Sequence, residues 1–266
     1  MKKLRFEYSM ELSFSVPVRD HHFTLRCLPQ NSGRQQICVD TCRISPVDSI
    51  SEMIDGFGNH KMSGCCLKPH DTFSCHVSGT AMAEGMKAVD EPFHPMYRYP
   101  SVLTQYDPVL AQFAKRFGEQ GKYAGLEGKD AVQFGVEVMG ALYERLVYES
   151  GVTDIHTTAG EALVKGRGVC QDYAHIMTAV MRFLGVPARY VNGIMIGEGA
   201  THAWVEIHTG EGWYGLDPTN NLHVDDYYIK FAHGRDYGDC IVDKGRFLGL
   251  AQQSQKIYVN VEEIKQ

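Results

Sequence analysis

Apolar and polar residues alternate without interruption near the start of the chain, with Leu4, Phe6, Tyr8, Met10, Leu12, Phe14, Val16 and Val18 against Arg5, Glu7, Ser9, Glu11, Ser13, Ser15 and Pro17. A period of two predicts a half-buried strand over residues 4–18, or two strands broken by a bend. Shorter strand-like runs follow at 23–27, 36–44 and 73–77, punctuated by Asn31-Ser32-Gly33 and Gly56-Phe57-Gly58-Asn59. Residues 1–90 thus read as an antiparallel, sandwich-like β domain. Pro92, Pro95, Pro100 and Pro108 then exclude helix interiors and central strands, so residues 91–108 read as a linker.

Beyond the linker the period lengthens. Residues 109–117 and 131–148 predict helices, the second with Phe134, Val138, Ala141, Leu142 and Leu146 on one face. Asp130 with Gln133, and Thr158 with Glu161, have the spacing of capping boxes. A further helix is predicted over 171–184, where Tyr173, Ala174, Met177, Val180, Met181 and Leu184 form one stripe and Gly185 with Pro187 ends it. Strands are predicted at 188–196, 202–208, 213–217 and 227–231. A last one, at 256–261, is expected to close the sheet of the second domain. Helices first and strands after make residues 109–266 an α+β domain, with helices packed on an antiparallel sheet.

Composition leaves this picture in place and narrows the partners. Hydrophobic content of 44% and charged content of 22% are those of an ordinary globular chain. A net charge of -6 gives no attraction to nucleic acid or anionic lipid. The basic start Met1-Lys2-Lys3 leads into alternation rather than an apolar leader, no run approaches membrane-spanning length, and a cytoplasmic setting is expected. Eight cysteines in such a setting read as reduced. None forms a Cys-x-x-Cys pair, so no metal site is expected, and those of the β region read as core residues. Nothing resembles a nucleotide-binding glycine loop, and no cofactor is implied.

The candidate chemistry lies between Gly166 and Pro218. Cys170 opens the helix predicted at 171–184, where unpaired N–H groups and the helix dipole favour a thiolate and supply donors for an oxyanion. His202 and Asp217 lie on two strands joined by Thr209-Gly210-Glu211-Gly212. If Thr209 and Gly210 alone make the turn, His202 faces Asp217 directly; if all four residues do, Asp217 is one diagonal step away. Either way the side chains share a face, as a base and the carboxylate that orients it must. Trp204 should point the same way as His202, either walling a cleft or packing in the core. Gln171 and Asp172 fall in the first helical turn, where both suit the dipole and Gln171 is also a candidate substrate contact. His175, one turn on from Gln171, reads as packed within the fold. No residue upstream of Cys170 can be assigned as a side-chain oxyanion donor.

Four ordered motifs carry a resemblance: Gly-Val-Cys-Gln-Asp-Tyr-Ala-His at 168–175, Gly-Val-Pro-Ala-Arg-Tyr-Val at 185–191, Thr-His-Ala-Trp-Val-Glu at 201–206 and Gly-Leu-Asp-Pro-Thr-Asn-Asn at 215–221. The chain resembles the bacterial transglutaminase-like family, often labelled candidate cysteine proteases, with a papain-like Cys-His-Asp core. Residues 234–239 and, more weakly, Gly58-Asn59 extend the likeness to most of the chain. By position the resemblance implies Cys170 as nucleophile, His202 as base and Asp217 as orienter. It implies a peptide or protein substrate with an amide carbonyl, and either water or an amine as acyl acceptor. The rival expectation is a non-catalytic module that keeps the fold and uses its β domain to hold a protein or peptide partner.

Overall fold

The alternation at the amino end becomes a single strand, Lys2–Leu25, in the computed structural model, which describes residues 1–265. Leu4, Phe6, Tyr8, Met10, Leu12 and Phe14 are all buried, as a period of two on a sheet with one covered face requires. The pattern lapses at Val16, which is exposed. There the register against the neighbouring strand His70–Ala83 shifts, and a second irregularity follows at Asp20, whose φ is 48°. Such interruptions bend a strand. The first part of the strand pairs with His70–Ala83 and Gln253–Glu263, the second with His60–Cys66 and Asp243–Leu248. With Gln35–Ser45, Ser49–Ile54 and Gly197–Gly199 the result is a curled eight-stranded sheet.

Gln253–Glu263 corrects one expectation. It runs along the first part of the first strand, from Leu4 opposite Glu263 to Phe14 opposite Gln253, and so belongs to the amino-terminal sheet rather than the second one. Its alternation fixed which face is buried but not its partner. Ser49–Ile54, His60–Cys66 and Asp243–Leu248 are strands that the pattern did not announce, since Ser49–Ile54 is exposed along its whole length. Among the cysteines of this region Cys27, Cys66 and Cys75 are buried, whereas Cys38 and Cys42 are exposed, not core.

The second sheet has five antiparallel strands in the order Leu222–His223, Trp213–Asp217, His202–His208, Ala188–Met195, Tyr228–Gly234. The helix Cys170–Phe183 lies on one face of it and packs against Pro108–Ala114, Gly128–Arg145 and Ala159–Lys165. Ile176, Met177, Val180 and Met181 meet Ala203, Val205, Ile207 and Leu216 in one core. The second core joins the two sheets, because Ile194, Ile229 and Phe231 pack among Leu4, Phe6 and Tyr8. The mixed architecture expected from the element order is therefore present.

The helix starts follow their caps unevenly. Thr158 and Glu161 form the full capping box, Thr158 Oγ1 accepting from the Glu161 amide and Glu161 Oε2 accepting from the Thr158 amide. Asp130 and Gln133 do not. That helix begins at Gly128 behind an N-cap Glu127 that makes no side-chain cap bond, and Asp130 falls in its first turn, where its charge complements the dipole. Among the described residues no helix is long and apolar enough to cross a membrane.

Candidate active site

Cys170 is the first residue of its helix. The first ladder bonds are those from the Asp172 and Tyr173 amides to the Val169 carbonyl, so the N–H groups of Cys170 and Gln171 precede the ladder and belong to the open end. Asp172 fixes this start. It is 1% exposed, and its Oδ2 accepts from the Val169 amide at 2.8 Å and from Thr153 Oγ1 at 2.7 Å. Gly168 leaves the room for it, since a Cβ there would lie 2.4 Å from Asp172 Oδ2. A short parallel pairing of Val147–Tyr148 with Arg167–Gly168 holds the loop from the other side.

The hairpin adopts the four-residue turn. Val205 faces Leu216 and His208 faces Trp213, with the Thr209 amide bonded to the Gly212 carbonyl. Asp217 therefore sits one diagonal step from His202, and His202 Nε2 meets Asp217 Oδ2 at 2.8 Å. Using Nε2 for the carboxylate leaves Nδ1 for the thiol. Cys170 lies close enough to the imidazole to favour its protonated form.

Asp217 is fully buried and well supplied with donors. Oδ2 also accepts from Tyr228 Oη and Asn220 Nδ2, both at 2.8 Å, and Oδ1 accepts from the amides of Thr219 at 2.9 Å and Asn220 at 3.3 Å. Burial opposes ionisation, but the bonds from His202, Asn220 and Tyr228 override it and hold the carboxyl below the usual range. Burial would likewise lower the His202 pKa; the Asp217 carboxylate and the Cys170 thiol push it up instead, to about 10. The imidazole is held as a cation through neutral pH. That arrangement can stabilise a thiolate and later deliver a proton to a leaving group.

The other residues singled out in the sequence fall in place differently. Trp204 is 1% exposed and does not wall an open cleft: its ring lies behind His202, 6.5 Å between centroids, and meets Tyr228 edge-on at 5.5 Å. The indole is accommodated because Gly193 has no side chain; a Cβ there would lie 2.5 Å from the ring. Gln171 is half-buried next to the thiol. His175 is buried within the fold, its Nε2 accepting from the Tyr237 amide.

Sequence reasoning missed the support given by Asn220 and Tyr228. Asn220 had a signal, an amide three residues past the carboxylate in the turn that opens at Pro218, where Asx chemistry is common. Tyr228 had none, because the strand Tyr228–Gly234 reaches Asp217 only through the fold. Tyr148 was not singled out either; the parallel pairing places it beside Gly168.

Comparison with known proteins bears on the family and the fold. Residues 120–218 match the transglutaminase-like superfamily, and residues 4–82 match the bacterial transglutaminase-like N-terminal region. An uncharacterized protein of Mycobacterium leprae is 28% identical, covering 99% of this chain and 100% of its own. An uncharacterized protein of Mycobacterium tuberculosis is 31% identical, covering 89% of this chain and 85% of its own. The crystal structure of a candidate cysteine protease from Cytophaga hutchinsonii superposes with a TM-score of 0.77 over 100% of this chain and 91% of that one, at 21% identity, a likeness of fold. On the two matched regions and these relatives, the chain belongs to the transglutaminase-like superfamily.

Proposed function

We propose that the protein is a thiol enzyme that opens amide bonds through Cys170, His202 and Asp217. The observation that carries this reading is the 2.8 Å bond from His202 Nε2 to a buried Asp217, with Cys170 near enough at its helix start to favour the charged imidazole. The Cys170 sulfur attacks the carbonyl carbon as a thiolate, and the carbonyl oxygen takes up the negative charge. The open N–H groups of Cys170 and Gln171 are the donors closest at hand for that charge. His202, held as imidazolium, gives its proton to the departing amine as the C–N bond breaks, which leaves a thioester on Cys170. Water, deprotonated by the now neutral His202, attacks the thioester to release the acid; an amine in its place gives acyl transfer.

The acceptor is chosen by water exclusion. Cys170 and Gln171 are half-buried and His202 is 12% exposed, so the reacting groups meet solvent, and hydrolysis is the reading this favours. The substrate is accordingly a peptide or protein amide. Iodoacetamide supplies the first test: one cysteine should label far faster than the others at neutral pH, and Cys170→Ala should remove that reaction. The second follows peptide cleavage and ammonia release separately on peptide and glutamine-amide substrates, with and without an amine. Uniformly slow thiols and no turnover would favour the non-catalytic binding module instead.

A further inference from the structure

The loop that leads to Cys170 is one strand of a two-stranded sheet, and the outer edge of the other strand is open. Val147–Tyr148 runs parallel to Arg167–Gly168, with Tyr148 opposite Gly168, two residues before Cys170. The Val147 amide donates to the Gly166 carbonyl at 3.0 Å and the Glu149 amide to the Gly168 carbonyl at 2.9 Å. Successive residues of an extended chain turn their backbone groups to opposite edges. Tyr148, between these two donors, therefore turns its N–H and C=O away from the loop. Among the described residues no further strand covers that edge, and no backbone bond reaches either group.

Edges of this kind are normally guarded by a charge, a proline or a covering element. This one is not. Val147 and Tyr148 are 61% and 56% exposed, and the charge of the neighbouring Glu149 is matched by Arg167, whose Nη1 donates to Glu149 Oε2 at 2.9 Å. A free donor and a free acceptor on one residue, flanked by apolar side chains, are what an added strand requires. The occupant follows from continuity with the thiol: a chain on this edge joins the same small sheet as Gly168 and is held beside Cys170. The departing amine must lie at His202, on the second sheet, whereas Val147–Tyr148 belongs to the wall formed by the Cys170 loop. The part of a substrate that this edge can hold is therefore the acyl part.

We propose that Tyr148 is a substrate-binding residue to which an extended peptide adds as an antiparallel strand. One residue on the acyl side of the attacked bond exchanges both backbone hydrogen bonds with Tyr148 and lays an apolar side chain beside the Tyr148 ring. Directly opposite residues of an antiparallel pair carry their side chains on one face, so the ring meets that residue. The inference deepens the thiol-enzyme reading and rests on it. It names the substrate as an extended peptide segment with an apolar residue at one position, rather than an isolated amide.

The test measures alkylation of Cys170 in the full chain by chloromethyl ketones of acetylated tripeptides, each rate divided by that of iodoacetamide, which has no peptide to pair. Trialanine is the parent; three analogues each carry one N-methylated alanine, and three each carry one phenylalanine. At a single position N-methylation should lower the ratio about five- to tenfold, the size of one lost hydrogen bond, and phenylalanine at that position should raise it. Tyr148→Ala removes the ring and keeps the N–H, so it should abolish the preference for phenylalanine. Tyr148→Pro also removes the N–H, which an open edge tolerates, and should lower the trialanine ratio about five- to tenfold below that of Tyr148→Ala. Insensitivity to N-methylation at all three positions, or equal ratios in two variants that both unfold cooperatively, would overturn the assignment. So would a phenylalanine preference retained in Tyr148→Ala, whether or not the proline variant folds. If iodoacetamide labels Cys170 rapidly and the peptides are not discriminated, pairing at Tyr148 fails alone; if Cys170 is no faster than the other thiols, the thiol-enzyme reading fails and this one with it.

Discussion

Asp217 and His202 form a pair in which neither side chain keeps its ordinary acidity. Replacing Asp217 by Asn keeps the shape of the turn and removes the charge that raises the imidazole. His202 should then titrate below its present value of about 10, toward or below the ordinary 6.5, which NMR of the ring carbons can follow. If the protein turns over an amide, the same variant should lose kcat/KM on the order of 10,000-fold, as when an orienting carboxylate becomes an amide in a related triad. An unmoved titration would mean that the carboxylate is not what charges the ring. The three residues of the candidate site could be picked out in the sequence because each sits in a local motif whose spacing sets its face. The donors that complete it were less so: Tyr228 acts across a strand boundary, and periodicity does not record which side chains meet in space.

The helix at Cys170–Phe183 depends on its first turn. In Gly168→Ala the new methyl would collide with Asp172 Oδ2, which holds the Val169 amide and Thr153. Loss of that cap should cost about 1–2 kcal/mol in urea unfolding and slow the alkylation of Cys170 in parallel. A full loss of stability with unchanged labelling would separate the cap from the thiol. Elements of this kind were readable wherever one face is buried and the other wet: the long first strand, the helix under Cys170 and the box at Thr158 all followed from period and spacing. Ser49–Ile54 escaped because an exposed hairpin strand has no buried face to reveal it. At Asp130 the spacing was right and the helix start was not, since Gly128 enters the helix earlier with a φ of 57°.

The stability of the whole molecule should carry the signature of the ion pair. The folded pKa of His202 is raised, so the pair contributes in full below pH 6.5, declines above it and is lost once pH passes about 10. Across that window the folded protein holds one more proton than the unfolded chain, so the unfolding free energy falls by about 1.4 kcal/mol per pH unit on this account. Asp217, lowered from 3.8, works at the other end: its contribution is present above that value and lost as pH falls through the lowered one. Urea unfolding between pH 6.5 and 10 should show a steeper decline for the natural chain than for His202→Gln, and parallel lines would dismiss the pair as a source of stability.

The amino-terminal sheet also depends on a strand that lies far along the sequence. A chain shortened to residue 250 leaves Leu4 to Phe14 without their partners at 253–263. It should unfold non-cooperatively or aggregate, as open edges do, and a soluble truncated protein with one sharp transition would contradict this. The pairing has a temporal side as well. Lys2–Leu25 is synthesised well before Gln253–Glu263, and the ladder between them joins residues far apart in the sequence. A nascent polypeptide can pair one edge of that strand early with His70–Ala83 but must leave the other edge open until 253–263 has been made. Folding of this sheet is expected to finish only once that late segment has been made, with chaperones the natural guardians of the open edge.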